Sequence, residues 1–208
     1  MKANAFAAIA LLAASVTPAL AGDLYVLGSL GRSTIDQSKG DIDSAITSAG
    51  AVGLSSSMDN HDTGYKLQLG YQYNPNLAVE AGYVDLGKLT YSATYTGGAA
   101  TASGKASGFN VAVLGIAPIS EAVSVFGKLG TIDGKVSLSA NATGPGGAAS
   151  GSASATKWKG NYGLCLTYHV NKALGIRFEF EQFNKLGDKN KTGESNVNLL
   201  SVGVAFKF

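Results

Sequence analysis

From Tyr65 to Tyr73 the chain alternates without a break. Tyr65, Leu67, Leu69, Tyr71 and Tyr73 share one parity, and Lys66, Gln68, Gly70 and Gln72 share the other. A period of two belongs to an extended chain with one side in an apolar medium. Asn74-Pro75-Asn76 interrupts the run, its proline fixing φ and its asparagines accepting a tight turn. Leu77, Val79, Ala81 and Tyr83 then alternate with Ala78, Glu80 and Gly82, so two antiparallel strands joined by a short hairpin are expected. The same patterning elsewhere predicts eight strands in all: Leu24 to Ile35, Thr63 to Tyr73, Leu77 to Tyr95, Ser107 to Ala117, Ala122 to Ala140, Lys157 to Val170, Leu174 to Leu186 and Asn196 to Phe208. Each is long enough for a tilted membrane crossing, which takes about 9–11 residues.

The connections between these strands alternate in length. Asp36 to Asp62, Thr96 to Ala106, Asn141 to Thr156 and Gly187 to Ser195 are long or medium, whereas the turns at Asn74–Asn76, Pro118–Glu121 and Asn171-Lys172 are short. Tight turns on one side and longer loops on the other are the asymmetry of an outer-membrane barrel, with the longer loops outside. The expected fold is therefore all-β, an eight-stranded antiparallel transmembrane β-barrel displaying four extracellular loops. Tyr65 and Tyr73 lie eight residues apart, roughly 20 Å on a tilted strand and close to the ~25 Å apolar band of such barrels. Together with Tyr71, Tyr83, Trp158 and Tyr162 they read as an aromatic girdle at the two membrane interfaces. The Leu77 to Tyr95 and Ala122 to Ala140 strands overshoot a crossing and are expected to continue as ribbons, with bulges at Gly87 and at Asp133-Gly134. The Asn141 to Thr156 stretch, built of small residues, is expected to be a mobile loop.

The chain opens on Met1 and Lys2, an apolar run from Ala5 to Ala14, and the small-x-small sequence Ala19-Leu20-Ala21. That is the pattern of a secretory leader, predicting cleavage after Ala21 and a barrel domain over residues 22–208. No later stretch reaches the ~18 consecutive apolar residues of a spanning helix. A composition 45% hydrophobic and 14% charged, with 28 glycines, suits strands that face lipid on one side and a crowded lumen on the other. The net charge of +2 gives no reason to expect a nucleic-acid partner, and the single cysteine, Cys165, cannot form an internal disulfide. Stability must come from a closed ladder of backbone hydrogen bonds.

The final strand alternates Leu200, Val202, Val204, Phe206 and Phe208 against Ser201, Gly203, Ala205 and Lys207, and ends on an aromatic residue. Val204, Phe206 and Phe208 resemble the sorting signal read by the barrel assembly machinery. The stretches GYQYNPNLAVEAGYVDLGK and LGIAPISEAVSVFGKLG resemble the transmembrane domain of the OmpA family of eight-stranded barrels, a similarity running from about Leu24 to Phe208. The family's longer members add a peptidoglycan-binding domain, and here no such tether is expected. The resemblance implies a charged cluster in the lumen: the family's inward glutamate falls on Glu80 and two of its cations on Lys128 and Arg177, whereas a lysine falls on Val113 and a glutamate on Thr167. One family ion pair is thus absent, with Glu179 and Glu181, at the parity of Arg177, available as compensating charge. Lys66, Gln68, Glu80, Lys128, Arg177 and Glu179 form the expected interior polar cluster, filling the lumen rather than gating it.

Catalytic chemistry has little to stand on. His61 lies near Ser55, Ser56, Ser57, Asp59 and Asp62, the residue types of a hydrolase or acyltransferase, but nothing fixes their geometry. His169 beside a short turn reads as interfacial. Asp36, Asp41, Asp43 and Asp59 could bridge a divalent cation to lipopolysaccharide phosphates, though their spacing matches no calcium loop. The sequence predicts no cofactor, no metal and no enzyme. It predicts a monomer in the bacterial outer membrane with a structural and surface-interacting role, in contact with lipid and lipopolysaccharide and presenting its loops to an extracellular ligand or host surface. A narrow porin or ion channel is the alternative, and a lipid A-modifying enzyme the next.

Overall fold

The computed structural model describes residues 23–208; the predicted leader lies outside them. Among the described residues nine strands follow one another: β1 (Asp23–Asp36), β2 (Ser55–Asp59), β3 (His61–Asn74), β4 (Leu77–Tyr95), β5 (Gly98–Pro118), β6 (Val123–Gly144), β7 (Gly147–His169), β8 (Leu174–Asp188) and β9 (Gly193–Lys207). One helix, α1 (Lys39–Ser48), lies between β1 and β2. Eight strands pair in the order β4-β3-β1-β9-β8-β7-β6-β5, and a β4–β5 ladder closes the ring. Every neighbour is antiparallel, so no sheet edge is left in the ring itself.

The two faces of the wall follow the sequence period. On β3, Lys66 and Gln68 are buried in the lumen while Leu67 and Leu69 stand exposed outside. On β8, Arg177, Glu179 and Glu181 point in and Phe178 and Phe180 point out. An outer surface of Leu, Val and Phe on a closed ring is the surface a bilayer accepts and water does not. The lumen is narrow enough that glycine is needed where side chains converge. A Cβ at Gly163 would lie 2.8 Å from Glu181 Cγ, and Gly70 leaves its space to the ring of Tyr25.

Three expectations are corrected. The Asp36 to Asp62 connection is not a plain loop but holds α1 and the ninth strand, β2, which pairs with β4 from Ser55↔Thr94 to Asp59↔Thr90. Thr96 to Ala106 and Asn141 to Thr156 are strand, not loop: β5–β6 pairing runs unbroken from Pro118↔Ser124 to Ala99↔Thr143, and β6–β7 pairing to Gly144↔Gly147. The reversals are tight, Thr96-Gly97 and Pro145-Gly146, with Gly97 and Gly147 at φ +81° and +108°. The alternation fades there because these stretches are built almost wholly of Ala, Ser, Thr and Gly, which satisfy the ladder without marking a side. The bulges also differ. Gly87 (φ +73°) does sit in one, where Leu86 and Gly87 both face Ala106, but β6 passes Asp133-Gly134 in register. A further bulge lies on β8 between Phe183 and Leu186, where Lys185 takes φ +47°, and β3 shifts register against β4 between Gln72 and Asn74. Each bulge adds one residue and reverses parity. Tyr83 therefore points outward, while Leu89 and Tyr91 beyond the bulge point inward.

Inside, the ring is stratified. Ala78, Ala112, Leu114, Phe126 and Cys165 pack toward the end carrying the short turns. Val84, Leu86, Ala106, Ile132, Phe183, Leu186, Val197 and Leu199 pack toward the end carrying the ribbons. A polar layer lies between them.

Candidate functional site

The polar layer is drawn from four strands. β3 supplies Lys66 and Gln68, β4 supplies Glu80, β6 supplies Lys128, and β8 supplies Arg177, Glu179 and Glu181 at consecutive inward positions. Their ion pairs form a closed circuit of alternating sign. Glu80 pairs with Lys128 at 3.0 Å, Lys128 with Glu181 at 2.9 Å, Glu181 with Lys66, Lys66 with Glu179, Glu179 with Arg177 at 3.3 Å, and Arg177 with Glu80 again. Three cations and three carboxylates cancel, and each charge has two opposite neighbours. That arrangement makes six buried charges tolerable, since an ion that loses its partner in a low-dielectric interior is strongly destabilising.

Neutral groups complete it. The Tyr25 hydroxyl donates to Glu80 Oε1 at 2.7 Å, Gln68 Oε1 accepts from Lys128 Nζ at 3.4 Å, and Thr167 Oγ1 accepts from Arg177 Nε at 3.3 Å. The Arg177 guanidinium also lies 4.6 Å from the centre of the Phe126 ring, a cation–π contact that seats it on the lower apolar layer. All six residues expected in the interior cluster lie in this layer. Glu181 joins them as a full member, bridging Lys66 and Lys128, and its signal was the parity of Arg-Phe-Glu-Phe-Glu along β8. The positions where the family's pair is lost are explained by place. Val113 is half-exposed on the outer wall, and Thr167 is a hydrogen-bond acceptor for Arg177. Lys66 and Glu179 restore the missing pair from other strands.

On the outer wall, Tyr65, Tyr83, Trp158 and Tyr162 are exposed toward the ribbon end. Tyr71 and Tyr73 lie at the turn end, with Tyr71 half-buried. Val204, Phe206 and Phe208 project from β9 beside the seam with β1, where the Phe206 and Phe208 rings meet edge-on at 5.3 Å and Phe208 N donates to Leu24 O at 2.9 Å.

The residues considered for catalysis are scattered. His61 Nδ1 is 2.9 Å from Thr34 Oγ1 across the β1–β3 ladder. Ser56 instead joins a knot on α1: Asp43 accepts from Lys39 at 2.6 Å, Ser56 at 2.7 Å and Tyr91 at 2.6 Å. These three donors pull the Asp43 carboxyl down to about 2. His169 Nε2 lies 3.0 Å from Ser124 Oγ near the short turns. His61 makes no hydrogen bond with Ser55, Ser56 or Ser57 among the described residues. Among the described residues no group of three His, Cys, Asp or Glu side chains is placed to hold a metal ion.

A family model described as the OmpA-like transmembrane domain matches residues 19–208. Outer membrane protein A of Salmonella typhi is 33% identical over 140 residues, covering 67% of this chain and 38% of the relative. The protein of the same name from Shigella flexneri is 32% identical over 140 residues with the same coverage, 67% and 38%. The chain thus spans less than half the length of these curated relatives. The solid-state NMR structure of the outer membrane protein AlkL in lipid bilayers superposes with a TM-score of 0.50 over 94% of each chain at 16% identity, a likeness of fold alone.

Proposed function

The chain belongs to the family of OmpA-like transmembrane domains and is a barrel of the bacterial outer membrane, and from that premise we propose that it acts as a structural wall element that presents a surface, without catalysis. The observation that carries this reading is the sealed lumen. A neutral circuit of six charges lies between two apolar layers, so the interior is built as a core rather than a path. The hollow of 170 Å³ at the turn end reaches as far as Arg177, where the charge circuit begins.

On this reading the short turns face the periplasm. Four displays face outward: the excursion holding α1 and β2, the β4–β5 ribbon, the β6–β7 ribbon and the β8–β9 hairpin. Residues 1–21 are a leader, Val204, Phe206 and Phe208 are read by the assembly machinery, and the exposed Leu, Val and Phe wall with its aromatic residues contacts lipid and lipopolysaccharide around a monomer. The ribbons, rich in Ala, Ser, Thr and Gly, offer an extracellular ligand or host surface a hydrogen-bonding face.

The test separates wall from display. In a strain lacking the protein, a variant with both ribbons cut back to tight turns above Lys88, Lys105, Lys135 and Lys157 should restore resistance to detergent as fully as the intact chain. It should fail to restore attachment to surfaces. A null strain with an undiminished envelope, or ribbon-free protein that attaches as well as the intact one, would overturn the reading.

A further inference from the structure

The ribbon end holds a hollow that the sealed barrel does not need. A cavity of 330 Å³ lies directly on the upper apolar layer and is walled by Ile42, Leu89, Val136, Leu138, Leu186 and Val197. A second hollow of 340 Å³ adjoins it, sharing Ile42, Ala102 and Ala140 and adding Ile46 and Tyr91. Together they form one trough that climbs the inner faces of the β4–β5 and β6–β7 ribbons, flanked by α1.

The helix does not fill the space beside it. Ile42 and Ile46 stand one helical turn apart on α1, yet no residue of that helix is buried. The helix is tied down on its polar side instead, through Asp43 to Ser56 and Tyr91. The two bulges create the trough, because the parity reversal after Gly87 turns Leu89 and Tyr91 inward and the one after Phe183 turns Leu186 inward. Two independent backbone irregularities thus direct apolar side chains toward a space that side chains leave open.

The lining is mostly apolar, and the volume falls in the range of small-molecule sites, about 300–1,000 Å³. The walls select the guest. Tyr91 is the one aromatic residue among the lining, and the apolar remainder is aliphatic, which suits a flexible chain better than a planar ring. The nearby charges are already engaged: Lys105 with Asp85 at 2.9 Å, and Lys39 with Asp43 and Ser56 at 2.6 Å each. Hydrogen-bonding groups stand at the rim, where the Ser195 hydroxyl donates to Gln37 Oε1 at 2.9 Å with Thr192 beside them. Below, Leu86, Leu199 and Phe183 close the floor, so a guest entering here would stop here. We propose that this trough is a binding site for an uncharged, medium-length aliphatic chain with a small polar end, the chain lying on Leu138, Leu186 and Val197 and the end group at Gln37 and Ser195.

The test uses the described barrel in lipid nanodiscs, with decanol as the probe and methyl NMR as the readout. Decanol also dissolves in bilayer, so the lipid-facing methyls of Leu69 and Val202 serve as the internal reference. The methyls of Ile42, Leu138 and Val197 should shift saturably, at concentrations at least tenfold below those that move Leu69 and Val202. Ala102→Phe, placed where the two hollows meet, should weaken that response tenfold or more while the unboiled protein keeps its folded mobility in detergent gels. Val136→Phe on the neighbouring strand provides the same block should the first variant fail to fold. Interior methyls that move only in step with the lipid-facing ones would overturn the proposal, as would a filled trough that responds like the intact one.

Discussion

Glu181 holds the lysines of two different strands at once, pairing with Lys66 of β3 and standing 2.9 Å from Lys128 of β6. Removing its charge leaves two buried cations sharing Glu80 and Glu179 with Arg177. Glu181→Gln should therefore lower stability by about 3–5 kcal/mol, the usual cost of breaking a fully buried pair. Urea unfolding followed by tryptophan fluorescence in lipid vesicles would measure it. A change below about 1 kcal/mol would show that Lys66 and Lys128 find other partners.

On the proposed reading two barriers lie in series along the lumen, the charge circuit and the apolar layer above it. Conductance through the intact barrel should be small or absent in planar bilayers. Arg177→Ala should destabilise the barrel yet leave it closed, because the layer of Leu86, Phe183, Leu186 and Leu199 stays in place. Combining Arg177→Ala with Leu199→Ser should yield open events where neither change alone does. Large, steady currents from the intact barrel would show that the layers do not seal.

Gly87 holds the β4 bulge at φ +73°, and a Cβ there would come 2.6 Å from Asp62 Cβ. Gly87→Ala should cost about 1–2 kcal/mol, the penalty of a left-handed conformation for an L-residue. Hydrogen exchange should quicken at Lys88 and Leu89 and stay slow at Glu80 and Gly82, inside the ring. Equal acceleration in both regions would mean that the bulge is part of the barrel's global stability.

Asp43 is the pH-sensitive anchor of α1. Its carboxyl is held below the ordinary range by Lys39, Ser56 and Tyr91, so its contribution is full above the unfolded value of ~3.9. The contribution falls as pH drops and is gone once pH passes about 2. Carbon NMR of the Asp43 carboxyl should titrate in that window, and α1 amides should lose protection with it. A midpoint at ~3.9 would show that the knot does not form in solution.

How much of this the sequence disclosed depends on what lay beside each residue. Leu67 and Leu69 against Lys66 and Gln68 read correctly because lipid and lumen impose opposite demands on alternate positions. Ala99 to Ala106 and Ala148 to Thr156 are almost wholly Ala, Ser, Thr and Gly, so neither face of the ribbons is marked and their strands carry no visible alternation. Leu89 and Tyr91 share the parity of Tyr83 in sequence but point the opposite way, because one bulge residue reverses the count. Glu80, Lys128 and Arg177 were legible by resemblance, and Lys66 and Glu179 by parity. Their closure into a circuit was not legible, since it depends on the relative heights of β3, β4, β6 and β8 around a tilted wall, and no single strand carries that information.

The circuit of charge also bears on how the barrel comes into being. Lys66, Glu80 and Lys128 arrive on β3, β4 and β6 with one positive charge to spare, and Arg177, Glu179 and Glu181 arrive on β8 with one negative. Neither set is neutral alone, and neither can be left against hydrocarbon at small cost. A sheet of only the first six ring strands in the chain would carry one uncompensated positive charge in this layer, and adding β8 would cancel it. By this count the β8–β9 hairpin brings the layer to zero charge at the step that leaves only the seam between β9 and β1 to close.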